Sequence, residues 1–447
     1  CWIVGGAVRD ALRGAELSDL DLVLDGEVAP AARRVAAATA AHAFALSDAF
    51  GAWRVVERAG AWHADLNPLR GATIEADLAR RDFTVNAIAQ PLEGGELVDP
   101  LGGARDLERG VLRIAGPHAL DSDPLRAMRL VRLRCELDLT PDPQTVAAAR
   151  EVAPRLREVA AERVYAELSR VLASDSAAAG VALMGDLGLT AAVLPELAAL
   201  GGIDQSRFHH LDVADHTLAV LAELVELARD PARVLGDAAA PGIAALLAEP
   251  LADELTRGTA LRFGALLHDI AKPQTRTVAT DGRVAFPGHD ERGGELARGI
   301  LGRLRAAERV RAYVAALTRH HLRLGFLVHR RPLSRADLYD YLLACGPVAA
   351  DVTLLSVADR LATRGDRAEE SIARHLELAR EVIGEALRWH AEGPPRPPLG
   401  GAELMRALGI GGGPRIGDLL AQTTRAAFTG EIAGPEQAIE YARSLIA

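Results

Sequence analysis

Two short runs near the start of the chain hold residues whose types and spacing suit phosphate chemistry. The first is Ile3-Val4-Gly5-Gly6-Ala7-Val8-Arg9-Asp10, and nine residues past Asp10 the second begins, Asp19-Leu20-Asp21-Leu22-Val23-Leu24. An apolar strand that runs into paired glycines and then into a helix near Ala7 aims backbone N–H groups at an anion, and phosphate is the usual guest. In the second run side chains alternate faces, so Asp19 and Asp21 share one face while Leu20, Leu22 and Leu24 bury the other. Neighbouring carboxylates repel unless a cation lies between them. An oxygen-only ligand set favours Mg²⁺, and a phosphate cradle beside such a pair is equipment for phosphoryl or nucleotidyl transfer. Either run alone reads as a turn or a solvated strand; their order and closeness carry the functional reading.

A second constellation lies far downstream. His209-His210-Leu211-Asp212-Val213-Ala214-Asp215-His216 is followed, 52 residues after His216, by His268-Asp269-Ile270-Ala271-Lys272, and then by His289, His320-His321 and Asp359. Adjacent His-Asp at a helix end offers an imidazole and a carboxylate to one divalent metal, with distant helices completing the shell. His216, His268, Asp269 and Asp359 are the candidate ligands, and His289 and His321 are candidates for a second metal or for phosphate.

The elements that must position these residues are legible in outline. Residues 28–43 are alanine-rich and read as a helix, followed by strands at 53–56 and 61–66. On the second strand Asp65 shares a face with His63, opposite Trp62, Ala64 and Leu66, which makes it a candidate third carboxylate. In Arg80-Arg81-Asp82-Phe83-Thr84-Val85-Asn86-Ala87, arginine supplies a planar fork for phosphate oxygens and aspartate an acceptor for a ribose hydroxyl. Asp123-Pro124 opens a further helix as cap and first helical residue. Arg126, Arg129 and Arg132 recur on it every three residues, as a row of guanidiniums. A helical pattern continues over 141–174. Residues 237–257 read as an insertion of no evident function. Gly393 to Pro398 reads as a stiff linker, and the Gly411-Gly412-Gly413 run precedes a helix of a small tail.

Composition bounds the rest. A chain of 447 residues has room for two to four domains, and 25% charged with 49% hydrophobic residues is an ordinary soluble balance. No apolar run of membrane-spanning length and no signal peptide is read from the sequence. Cys1, Cys135 and Cys345 lack metal spacing, which suits a reducing cytoplasm. The net charge of −10 argues at face value against a nucleic-acid partner, but a local basic patch overrides net charge. Nearly all basic residues are arginine; Lys272 is the single lysine. The chain opens at Cys1 directly on a strand, so upstream residues are expected to be missing.

Five ordered motifs, GGAVRD…DLD, ARRDFTVNAIA, VDPLGGARDL, DPLRAMRLVR and ERVYAEL, resemble the class II tRNA CCA-adding and bacterial poly(A) polymerase family. The later His…His-Asp…Asp order resembles the HD phosphohydrolase superfamily. The resemblance implies an α+β, polymerase-β-like nucleotidyltransferase head over 1–115. All-α domains follow: a neck at 116–205, an HD domain at 206–390 and a tail at 391–447. It assigns Asp19, Asp21 and Asp65 to catalysis, the first two as Mg²⁺ ligands. Nucleotide binding falls to Gly5, Gly6, Arg9, Arg81, Asp82, Asp123, Arg126, Arg129 and Arg132, with Arg81 on the triphosphate, Asp82 on the ribose, and Asp123 and Arg126 on the base edge. Ser122 stands where the family's base-recognition motif has Glu. The implied reaction is template-free addition from CTP and ATP to a tRNA 3′ end by a two-Mg²⁺ mechanism. The HD set, His216, His268, Asp269 and Asp359, implies a divalent transition metal or Mg²⁺. The expected location is the cytoplasm, with no membrane partner; the sequence is silent on oligomeric state. Only nine residues separate Arg70 from Arg80. Family members that add only the two cytidines are similarly shortened here, so CC addition is expected. Two alternatives stand: a poly(A) polymerase, and an HD phosphohydrolase whose head merely binds RNA.

Overall fold

Alternation of leucine and aspartate from Asp19 onward builds the central strand of a six-stranded sheet, seen in a computed structural model. It describes residues 1–17, 19–47, 50–206 and 209–446, so Ser18 and Arg207 lie outside the described residues. The elements of the sheet region run β1 (Trp2–Val4), α1 (Gly6–Leu12), β2 (Asp19–Leu24), α2 (Val28–Thr39), β3 (His42–Ser47), β4 (Ala52–Val56), β5 (His63–Pro68), α3 (Ile74–Leu78) and β6 (Ala89–Pro91). Strand order is β3-β4-β5-β2-β1-β6, with β2 and β5 parallel and the other neighbours antiparallel.

Register gives the sheet two unlike faces. Leu20, Leu22, Leu24, Val55, Ala64 and Leu66 pack against Val28, Ala32 and Ala36 of α2. On the other face one rung reads Phe44, Arg54, Asp65, Asp21, Val4 across β3, β4, β5, β2 and β1, and the rung beside it carries His42, Val56, His63 and Asp19. Near β1 that face is closed by Ile74 and Leu78 of α3 over Val4 and Val23. The alanine-rich helix expected over 28–43 is shorter than its composition suggests. Ala40 takes a left-handed conformation (φ 52°) that ends α2 at Thr39, and the chain turns back to pair His42–Ser47 with β4. Pairing of the neighbouring strand outweighs helix propensity there.

Beyond the sheet come α4 (Gly103–Glu108), α5 (Arg126–Leu137), α6 (Pro143–Val152) and α7 (Ala161–Ala173). A Cβ on Gly103 would lie 2.0 Å from the Thr84 carbonyl oxygen, so α4 docks only through glycine. The helix expected to be capped by Asp123 starts two residues later. Asp123 accepts from the Leu125 N–H (3.2 Å), and Arg126 and Ala127 donate back to the Asp123 and Pro124 carbonyls as a tight turn ahead of α5. Met128, Leu130, Val131 and Leu133 of α5 are buried, as are Val164, Leu168 and Leu172 of α7.

The chain divides into two compact units, Cys1–Val193 and Leu194–Ala447. The second is helical, its principal helices Val213–Arg229, Arg257–Leu267, His289–Arg303, Glu308–His320, Ala349–Ala362 and Ala368–Glu392. The 237–257 insertion forms the helix Ala240–Ala248 and a short two-stranded hairpin. Three C-terminal helices close on their own core of Leu404, Leu419, Ala426, Ile432 and Ala438. One stretch, Arg335–Ala362, has the length and apolarity of a membrane span, contrary to the reading of the sequence, but its most apolar 18 residues are 78% buried within the protein. A turn at Gly346–Val348 breaks it into two helices.

Candidate active site

Gly5 turns the chain from β1 into α1 with φ 69° and ψ −130°, a backbone that side-chain-bearing residues avoid. A Cβ there would sit 2.8 Å from Arg81 Nη1 and 3.4 Å from Asp21 Oδ2. The absent side chain is what lets the Arg81 guanidinium lie over Gly5 beside Asp21. With only seven residues, α1 is a weak dipole, so positive charge at the cradle comes mainly from Arg81, Arg9 and Arg129.

The carboxylates gather as the alternation requires. Asp19 is exposed and takes a 2.9 Å contact from His63 Nδ1 on the same rung. Burial raises the Asp21 carboxyl above its ordinary value; Arg81 opposes this, while Asp65 and Asp19 add like charge. That arrangement fits a hard divalent cation, which supplies the missing positive charge to an all-oxygen pair. Asp65 faces Asp21 across the strands, but both of its oxygens are held by the Arg54 fork at 2.6 and 2.7 Å. Arg54 was not singled out in the sequence, although strand alternation sets it opposite Asp65.

A continuous polar chain links this centre to the helices beyond. Arg9 pairs with Asp10 (2.7 Å) and donates to Asn86 Oδ1 (2.6 Å), and Asn86 donates to Asp82 Oδ1 (3.0 Å). Arg129 donates to Asp82 Oδ2 (2.8 Å), while Arg132, almost wholly buried, donates to Glu167 and Glu136 at 2.7 Å each. Burial alone would raise the Asp82 carboxyl; Arg129, Asn86 and the Phe83 N–H outweigh it and leave it at about 2. Asn86 and Glu167 are the links that reading the sequence missed, though both lie inside motifs it quoted.

A cavity of about 470 Å³ opens between Arg81, Asp82, Asp123, Arg126, Arg129 and Arg163. The two residues assigned to a base edge are engaged within the protein. Arg126 donates to the carbonyls of Ala119 (2.8 Å), Arg80 (3.1 Å) and Arg81 (3.2 Å), and burial lowers its pKa. Asp123 is paired with Arg163 of α7 at 2.6 Å. Gly5, Gly6, Arg9, Asp19, Asp21 and Arg132 line an adjoining cavity of about 280 Å³.

In the second unit the histidines and aspartates converge. His216, His268 and Asp359 form one group with ligand atoms within 4.8 Å of one another, and Asp269, His289 and His321 form another. His268, His289 and His321 each direct Nδ1 at a carbonyl three residues back, Ala265, Phe286 and Thr318, at 2.8, 2.7 and 2.6 Å. Those bonds fix the tautomer that leaves Nε2 as a lone-pair donor. Nε2 of His268 and of His289 is buried and has no hydrogen-bond partner, although Asp269 oxygens lie 3.1 and 3.3 Å away. Orphaned imidazole nitrogens beside carboxylates are a set that fits metal. Lys272 reaches Asp269 at 2.6 Å and Gln205 at 2.6 Å. Burial would raise Asp269, but His268 and Lys272 hold it well below the usual carboxylate range. His321 is pushed down to about 4, first by burial and then by His268. His320 stands apart and accepts from Arg323 (2.8 Å).

Residues 57–113 match the poly A polymerase head domain family, residues 138–200 the family described as "probable RNA and SrmB-binding site of polymerase A", and residues 213–364 the HD domain family. The chain is 39% identical to an A-adding tRNA nucleotidyltransferase of Deinococcus radiodurans over 98% of its own length and 93% of the relative's. The chain belongs to the tRNA nucleotidyltransferase family. A CC-adding member from Thermus thermophilus is 35% identical, covering 97% and 91%. Among solved structures, a CCA-adding enzyme with ATP aligns over 100% of this chain and 91% of its own at a TM-score of 0.67 and 18% identity. That likeness bears out the fold: a polymerase-β-like α+β head and helical domains including an HD domain.

Proposed function

We propose that this nucleotidyltransferase adds cytidylate from CTP, without a nucleic-acid template, to the 3′ end of tRNA. The observation that carries the reading is Arg81 seated over Gly5 beside Asp21, which puts a phosphate-binding cation against the metal-binding pair. Gly5, Gly6, Arg9 and Arg81 bind the triphosphate, and Asp82, steadied by Asn86 and Arg129, orients the ribose. Asp123 and Arg126, once released from Arg163 and the carbonyls, present groups to the base. Two Mg²⁺ ions, with Asp19 and Asp21 as ligands, would lower the pKa of the attacking 3′-hydroxyl and neutralise charge on the leaving pyrophosphate. Asp65, in its Arg54 fork, holds the charge balance beside Asp21. We keep boundaries at 115, 205 and 390 as the working division into head, neck, HD domain and tail, and the cytoplasm as the compartment.

The short link after β5 supports restriction to C. Residues 69–73 are a taut turn: the Arg70 N–H donates to Asp77 (3.0 Å), Thr73 caps α3, and a Cβ on Gly71 would press on Ala76 at 3.0 Å. That leaves no slack for a mobile lever. Identity to the A-adding relative favours a second reading, addition of the terminal A. Incubating tRNA that ends at the discriminator base, and tRNA that ends in CC, with CTP and ATP singly and together separates the two. Extension by two cytidines with a stop before A is expected; A added to the CC end alone overturns the restriction in favour of the second reading. A complete CCA end would overturn both.

For the HD cluster we propose hydrolysis of phosphate esters, 2′,3′-cyclic phosphates at damaged RNA ends being the substrate class. The Asp269, His289 and His321 group would hold a second divalent ion.

A further inference from the structure

Three strands of the sheet leave a face open beside the carboxylates. The rung Asp21, Asp65, Arg54, Phe44 crosses β2, β5, β4 and β3, and neighbouring strands lie about 4.8 Å apart, so Phe44 stands roughly 14 Å from Asp21 on the same face. The opposite face is closed by α2. On this one Phe44 is 47% exposed, and Leu46, at the register irregularity that follows it, is 42% exposed. The nucleotide side of the carboxylates is taken up by Arg81, Asp82 and Arg129, gathered around β1 and α1. A second reactant that must reach Asp21 is left the β5-to-β3 side.

We infer that this face receives the single-stranded 3′ end of the RNA, with Phe44 stacking a base upstream of the reacting hydroxyl. The inference rests on the RNA-end reading above. An exposed aromatic ring stacks any base, because every base has a π-face, and cations nearby take up the phosphates. The cations are present. Leu46 borders a cleft of about 1380 Å³ that also holds Arg70 and Arg80, whereas Arg54, on the rung of Phe44, is held by Asp65. Among the described residues neither Arg70 nor Arg80 is paired with a carboxylate through its guanidinium. A polyanion is therefore the occupant that fits, rather than a second protein on the free edge of β3.

Phe44→Ala and Phe44→Trp test it, since an exposed side chain can be changed with the fold intact. With tRNA lacking its 3′ end, Phe44→Ala is expected to raise KM for RNA about ten-fold or more. KM for CTP and kcat should stay within about two-fold, and Phe44→Trp should restore the RNA KM. Binding is read separately with an RNA carrying 2-aminopurine near its 3′ end, whose fluorescence is quenched by stacking on wild-type protein and not on Phe44→Ala. An unchanged RNA KM and unchanged quenching in Phe44→Ala would overturn the inference. So would a change confined to oligomeric state in sedimentation, which would make the face a protein interface. Wild-type protein that quenches the probe but adds no nucleotide would sink the functional reading and leave the platform standing.

Discussion

Gly5→Ala is the substitution whose consequences the geometry fixes most closely. The new methyl group meets two obstacles. Its backbone, at φ 69° and ψ −130°, costs a non-glycine residue about 1–3 kcal/mol. Its Cβ would stand 2.8 Å from Arg81 Nη1, so the guanidinium must leave its place beside Asp21. The first effect lowers the thermal midpoint by about 2–12 °C, taking about 2–4 °C per kcal/mol for a unit of this size. The second removes a preorganised cation from the phosphates, a loss of about 10²–10³ in kcat/KM. Gly6→Ala is the control for strain: its φ is ordinary, and its nearest neighbour is the movable tip of Arg9 at 3.4 Å, so the thermal midpoint should stay near wild type. The assay is incorporation of labelled CTP into RNA, with melting followed by circular dichroism. Because both changes act through one guanidinium, Gly5→Ala combined with Arg81→Ala should be little worse than Arg81→Ala alone. A Gly5→Ala protein that melts early yet keeps its kcat/KM would refute the reasoning, since strain would then be present without the displacement of Arg81.

Two further outcomes follow. Asp82 is held at about 2, below its ordinary 3.8, by Arg129, Asn86 and the Phe83 N–H acting against burial. A depressed carboxyl stabilises the fold fully above the unfolded pKa and loses that contribution as pH falls through the folded one, a term of about 2 kcal/mol at neutral pH. Asp82→Asn should therefore be less stable at pH 7 and show a flatter fall between about pH 5 and pH 2 in denaturant titrations; an unaltered acid limb contradicts this. In the second unit, Ni²⁺, Mn²⁺ or Mg²⁺ should raise the melting temperature and support cleavage of a model phosphodiester, and His268→Ala should lose both. Wild-type protein showing neither effect would mean that the cluster is vestigial.

Much of the candidate site was legible because its chemistry sits in short ordered runs. The paired glycines, Asp19 and Asp21 lie within two dozen residues, and strand alternation alone sets both carboxylates on one face. The histidine cluster was legible as an order of residue types, though its division into two groups needed the helices to be brought together. What escaped the sequence depended on tertiary pairing. Residues 40–43 were read as the end of a helix and the strand at 42–47 went unread, because alanine-rich composition favours helix and the competing partner, β4, is visible only as a strand to pair with. Arg126 was read as facing a base, yet its nearest acceptors are the Arg80, Arg81 and Ala119 carbonyls, brought close by a turn that no local pattern announces. Asp65 was read as a bare carboxylate, because Arg54 lies eleven residues away in sequence and meets it only across the strand pair.

Single-turnover incorporation of labelled CTP onto tRNA lacking its 3′ end, compared among wild type, Asp19→Asn and Asp21→Asn, tests the central claim most directly. Both carboxylates lie on a strand face where loss of charge leaves packing intact, so each variant should keep the wild-type circular dichroism spectrum and melting profile. The account predicts extension by wild type and, for each variant, a rate lower by about 10³-fold or more, the order expected when a ligand of a catalytic cation is removed. Extension by either variant within a few-fold of wild type would contradict it.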